Sequence, residues 1–65
     1  MKVVDAFVSE PSSEGETFIV RALCHSAYDG GIVYEPSEFI CECDSQLIAD
    51  YIAKMLNKNV EEFIF

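Results

Sequence analysis

Two runs of alternating side chains meet at Tyr28-Asp29-Gly30-Gly31, and this stretch constrains the fold more than any other. Asp-Gly supplies the positive φ angles that a type I′ turn requires, so the pattern predicts a hairpin. Before the turn, Glu16 to His25 is rich in β-branched and aromatic residues, the composition of a strand. Phe18, Val20, Ala22 and Cys24 share one face; Thr17, Ile19, Arg21 and Leu23 share the other. After the turn, Ile32 to Tyr34 leaves as a strand. Pro36 has no backbone donor, which places a bulge or break near Glu35 to Ser37. The strand resumes over Glu38 to Cys43, with Phe39, Cys41 and Cys43 on one face. With Asp29-Gly30 as the turn, Tyr28 faces Gly31, Val20 faces Phe39 and Phe18 faces Cys41. On the other side Ile19 faces Ile40 and Arg21 faces Glu38. A slip of one residue would break both matches, because it moves every side chain across the sheet.

The remaining segments complete the pattern. Met1 to Val8 reads as a first strand, with Val4, Ala6 and Val8 on one face and Val3, Asp5 and Phe7 on the other. Ser9 to Gly15 is a polar loop punctuated by Pro and Gly. Asp44 or Ser45 is placed to cap a helix. Leu47, Ile48, Tyr51, Ile52 and Met55 then form one amphipathic stripe, with Asp50 and Lys54 as an i, i+4 pair on the wetter side. Asn57-Lys58-Asn59 can end the helix, since Asn tolerates the left-handed conformation. Val60 to Phe65 alternates as a short strand would, and a packed tail is the alternative. The expected fold is α+β: a single domain over residues 1–65 with three antiparallel strands, or four with that last segment, and one C-terminal helix on one face. The helix should cover Val4, Phe18, Val20 and Phe39. Phe7, Ile19, Leu23 and Ile40 then remain on the opposite face, which is more apolar than a solvated face usually is. A homodimer through those four residues is therefore one expectation.

Charge narrows the function. Twelve Asp or Glu face four Lys or Arg in 65 residues, a formal net charge of −8, while 51% of the residues are apolar. This is the balance of a folded domain with an acidic surface. Phosphate contacts need clustered Lys and Arg, and Lys2, Arg21, Lys54 and Lys58 are scattered, so direct nucleic-acid binding is not expected. The acidity equally disfavours an anionic membrane. So small a chain has little room for a deep substrate pocket, which argues against an enzyme. Met1 to Val8 is not a signal peptide, and the odd count of three cysteines suggests reduced thiols in a cytoplasm.

Cys41-x-Cys43 with Cys24-His25 can be read as a zinc set, since three Cys and one His suit tetrahedral zinc. The close pairs lack the usual spacing, and Cys24 and His25 point to opposite faces of a strand. Small buried hydrophobes are the better reading of the thiols; no metal or other cofactor is expected. A Cys nucleophile needs a base within reach, and His25 faces away from Cys24. Gly30-Gly31 is turn chemistry, without the Lys-Ser/Thr of a phosphate loop.

The hairpin followed by Cys-Glu-Cys-Asp-Ser-Gln-Leu-Ile-Ala-Asp-Tyr-Ile-Ala, Cys41 to Ala53, resembles short phage-encoded proteins in which a strand runs through an acidic cap into a helix. These include inhibitors of host defence, anti-CRISPR proteins among them, several of which use acidic surfaces to occupy nucleic-acid channels. The resemblance implies a non-enzymatic inhibitor acting in the host cytoplasm on a basic surface of a nucleic-acid-binding defence complex. The carboxylates that would pair with the partner's Arg and Lys are Asp29, Glu35, Glu38, Glu42 and Asp44, which follow one another along the third strand and its ends. Tyr34 would be an aromatic anchor beside them. The alternative is a structural or regulatory homodimer in which acidity serves only solubility.

Overall fold

A computed structural model describes residues 2–64. Strand β1 spans Val3–Pro11, β2 Phe18–Tyr28 and β3 Gly31–Cys43; helix α1 spans Gln46–Asn57. The strands form one antiparallel sheet in the order β1-β2-β3, and α1 lies on one face, chiefly over β1 and β2. This is the expected α+β arrangement. Val60–Glu62 is a short 3-10 turn, and Ile64 makes a single bridge to Val3 instead of a fourth strand; Phe65 lies outside the described residues.

Three bulges decide which side chains face the helix. In β1, Val4 pairs with Cys24 and Ala6 with Leu23, leaving Asp5 as the extra residue. A bulge reverses the alternation beyond it, so Val4 and Phe7, three apart, share the helix-covered face. The expectation that Phe7 lies on the opposite face is therefore corrected: it is 3% exposed and sits in the core. In β3, Tyr28 faces Gly31 and Cys24 faces Glu35 as the turn predicts, and then Pro36 and Ser37 oppose Leu23 alone. This is the bulge that Pro36 announces. A second one follows at Ile40, so Val20 pairs with Cys41, Ile19 with Glu42 and Phe18 with Cys43; between the two, the shift at Pro36 and Ser37 pairs Arg21 with Phe39. Phe39 is thereby moved to the outer face, 56% exposed. Ile40, expected outside, packs against the core. Ile19 and Leu23 keep the outer face. The turn itself departs from type I′: Gly30 has φ +90° while Asp29 keeps a negative φ, as do all non-glycine residues among those described, the sign pattern of a type II turn.

The core is thin. Val4, Phe7, Val20, Ala22, Cys24, Ala49 and Ala53 are buried, flanked by Phe18, Cys41, Ile52, Leu56 and Phe63. Helix α1 begins at Ser45, whose Oγ accepts from the Ile48 N–H. It meets the sheet along Ala49, Ala53 and Asn57, spaced i, i+4 and i+8 on one face. The alanines allow close approach. Side-chain hydrogen bonds fix the rotation: Ser9 donates to Asp50, so Asp50 is engaged with β1 and forms no ion pair with Lys54 among the described residues. The expected apolar stripe is consequently turned outward. Of its members only Ile52 packs on the core; Leu47, Ile48, Tyr51 and Met55 are exposed.

Asn57 holds the helix end to the sheet. The Phe7 N–H donates to Asn57 Oδ1 at 2.7 Å, and Asn57 Nδ2 donates to the Phe7 carbonyl at 2.8 Å. One side-chain amide thus completes both backbone groups of Phe7 as a neighbouring strand would. Asn57 itself stays helical, and the chain leaves through Lys58 in a right-handed conformation. Farther along, the Val4 N–H donates to the Phe63 carbonyl, and the Phe63 ring meets Phe7 edge-on at 5.0 Å. Replacing a paired partner and leaving part-buried groups unsatisfied costs about 1–3 kcal/mol each. Asn57→Ala should therefore lower unfolding free energy by about 2 kcal/mol in urea titration. Asn57→Asp should lie between it and wild type, because the carboxylate keeps the acceptor and loses the donor.

Candidate protein-binding site

The two edges of the sheet are not equivalent. The outer edge of β1 is engaged by Asn57 and by Phe63 and Ile64. The edge of β3 has no strand neighbour among the described residues and runs most of the molecule's 41 Å length. Asp29, Glu35, Glu38, Glu42 and Asp44 follow one another along it. Glu38 accepts from Lys2 Nζ at 2.6 Å, and Glu42 accepts from the Thr17 hydroxyl. Asp29, Glu35 and Asp44 have no ion-pair partner among the described residues. Tyr34 is 80% exposed. Charges, a proline and bulges on an edge also prevent pairing with foreign strands, so the edge discourages β-addition and favours side-chain contacts.

Where the bulges of β1 and β3 flank the same stretch of β2, the sheet opens into a depression of about 340 Å³. Asp5, Leu23, Cys24, Tyr34 and Glu35 line it. Its origin is visible in the register. Asp5 is the extra residue of β1, and Leu23 has a partner in β1 but none in β3. Tyr34 and Glu35, two of the sequence-predicted residues, meet here, while Asp29 at the turn and Asp44 before the helix lie toward opposite ends of the edge. Asp5 and Leu23 were not predicted for this role. Pro36 signals one of the two bulges, but nothing in the alternation of Met1 to Val8 signals the other. Asp5 also contacts His25, Oδ1 to Nδ1 at 2.6 Å. An ion pair between Arg21 and Glu10 at 2.8 Å crosses the same outer face.

The thiols are free, and no group of three or more His, Cys, Asp or Glu among the described residues could hold a metal ion. Burial pushes the Cys24 thiol above its ordinary value, aided by the negative charge of Glu38. Desolvation and a hydrogen bond with Cys41 do the same for Cys43. Both therefore keep their protons at neutral pH, the opposite of what a nucleophilic thiol requires. No helix among the described residues is long and apolar enough to cross a membrane.

No protein-family model matches the chain, and neither a curated protein nor a solved structure matches it at a significant level.

The thiol shift has a stability consequence. Folding holds the Cys24 proton at pH values where the unfolded chain has lost it. The contribution is complete below the ordinary thiol value of 9.0 and is lost as pH rises through the higher folded value. Urea midpoints should therefore fall above pH 9, and the fall should be shallower in Cys24→Ala than in wild type.

Proposed function

We propose that this chain is a non-enzymatic binding protein whose acidic edge occupies a basic surface of another protein, one that otherwise holds nucleic acid. The depression beside β3 carries this reading. An Arg or Lys side chain suits it: the stem would lie on Leu23 and the cationic head would reach the carboxylate of Asp5, while Glu35, paired with Cys24 on the other face of the strand, adds to the negative charge of the edge. The exposed ring of Tyr34 adds a cation–π surface. Asp29, Glu42 and Asp44 extend the same charge along the edge, so a row of phosphate-binding cations on the partner meets a row of carboxylates. The net charge of −8 steers such an encounter at long range. Inhibition follows from occupancy, because the partner's cations cannot hold phosphate and carboxylate together. A phage origin and a host defence complex as target, acting in the host cytoplasm, are the most specific form of this proposal.

The reading predicts capture of a basic nucleic-acid-binding protein from a host lysate, with release at high salt as the charges are screened. Against the purified partner, Glu35→Gln and Tyr34→Ala should each weaken binding by roughly tenfold, the scale of one charge-assisted contact. Binding that ignores both salt and Glu35→Gln would refute the charge-pairing mechanism.

A further inference from the structure

The helix carries a second surface that shares only Asp44 with the acidic edge. Leu47, Ile48, Tyr51 and Met55 are 80%, 54%, 61% and 40% exposed, and they form one continuous stripe on the side of α1 away from the sheet. Together they leave roughly 450 Å² of mostly apolar side chain in water, the size of the largest and often functional patch on a small protein. The whole chain exposes 4585 Å². About 4,200 Å² is expected for a monomeric protein of this mass. The excess is close to the size of the stripe. The outer sheet face is apolar too, but the Arg21–Glu10 and His25–Asp5 pairs interrupt it; no such pair crosses the helix stripe.

The charges around the stripe indicate what covers it. Lys54 and Lys58 sit at its C-terminal end and have no ion-pair partner among the described residues. Asp44, likewise unpaired there, sits at its N-terminal end. We infer that the stripe is the interface of a two-fold homodimer in which α1 packs antiparallel on α1 of a second copy, centred on Tyr51. A two-fold axis at Tyr51 sets each residue opposite the one equally far on the other side. Leu47 then meets Met55 of the second copy, and Lys58 meets Asp44. The antiparallel arrangement also opposes the helix dipoles. An isologous interface requires this self-complementarity; Leu47 with Met55 and Asp44 with Lys58 supply it, while Ile48 lies against the aliphatic stem of Lys54. Full coverage of both stripes removes at most roughly 900 Å², just under the roughly 1,000 Å² of a specific interface, so the dimer is a weak one. Since α1 lies chiefly over β1 and β2, both β3 edges stay open. The dimer presents two acidic edges and so gains effective concentration against a partner with two basic sites.

Sedimentation equilibrium tests this at micromolar to millimolar concentration. The expected species is twice the 7.3 kDa chain. Tyr51→Glu should give monomer with an unchanged circular dichroism spectrum, since the side chain is exposed in the fold. Asp44→Lys and Lys58→Asp should each weaken the dimer roughly tenfold or more, and the double swap in one chain should restore it. Rescue by the swap is specific to antiparallel pairing. A monomer at all concentrations would overturn the inference. So would a dimer that survives Tyr51→Glu, which would place the contact on the outer sheet face. Co-sedimentation of a monomer with phosphatidylcholine vesicles would also overturn it and give the stripe to a lipid surface.

Discussion

The extra residue at Asp5 is the constraint on which the rest of the structure depends. Without it, strict alternation would send Phe7 to the side away from the helix. With it, Val4 and Phe7 face the helix together, and Phe7 becomes the largest of the seven buried hydrophobic side chains among the described residues. Phe63 then has a ring to pack on, and the Phe7 backbone lies where Asn57 can complete its hydrogen bonds. The bulge also turns Asp5 toward His25 and opens one wall of the depression. A single inserted residue thus sets the core, the helix anchor and the candidate site.

The helix shows how polar contacts can override an apolar pattern. The stripe of Leu47, Ile48, Tyr51 and Met55 is the face that hydrophobicity alone would bury. Yet burying it would forfeit the Asn57 clasp and the Ser9–Asp50 bond, and would hold α1 away from a narrow sheet by the bulk of those side chains. The alanine face costs little apolar burial per residue but permits close contact over two strands. The proposed dimer resolves the conflict in four layers, sheet, helix, helix and sheet, with the alanine face on the chain's own sheet and the large residues on the second helix. That is the two-layer logic of a domain core completed across a symmetry axis.

Much of the fold is legible in the residues, and the misses share a cause. The Asp29-Gly30 turn, the pairing of Cys24 with Glu35, the disruption at Pro36 and the cap at Ser45 all follow from local chemistry that acts within a few residues. The outer-face placement of Ile19 and Leu23 follows as well. What alternation cannot reveal is a bulge without a proline or glycine to mark it. Asp5 and Ile40 are both of this kind: the first misplaces Phe7 and the second shifts Cys41 and Cys43 by a further residue, whereas Phe39 leaves the helix face because the bulge that Pro36 marks has already moved its register by one. The candidate site inherits the same limit. Tyr34, Glu35 and the carboxylates of the β3 edge can be named from charge and position, but Asp5 and Leu23 join them only through the shifted register. Asn57 is a further case: as a helix stop it has a local rationale, whereas its bond to a strand fifty residues away has none in the sequence.

The distribution of charge reconciles the acidic edge with self-association. Two bodies of net charge −8 repel unless the contact itself is free of that excess. The helix stripe is the place where this holds. It holds two of the chain's four cations, and the proposed two-fold geometry sets Asp44 opposite Lys58. The other two cations, Lys2 and Arg21, are paired to Glu38 and Glu10 and hold the sheet's own carboxylates in place. The fold therefore separates the two proposed surfaces by electrostatics: acids without an ion-pair partner among the described residues gather along one open edge, and lysines without one gather on the helix stripe.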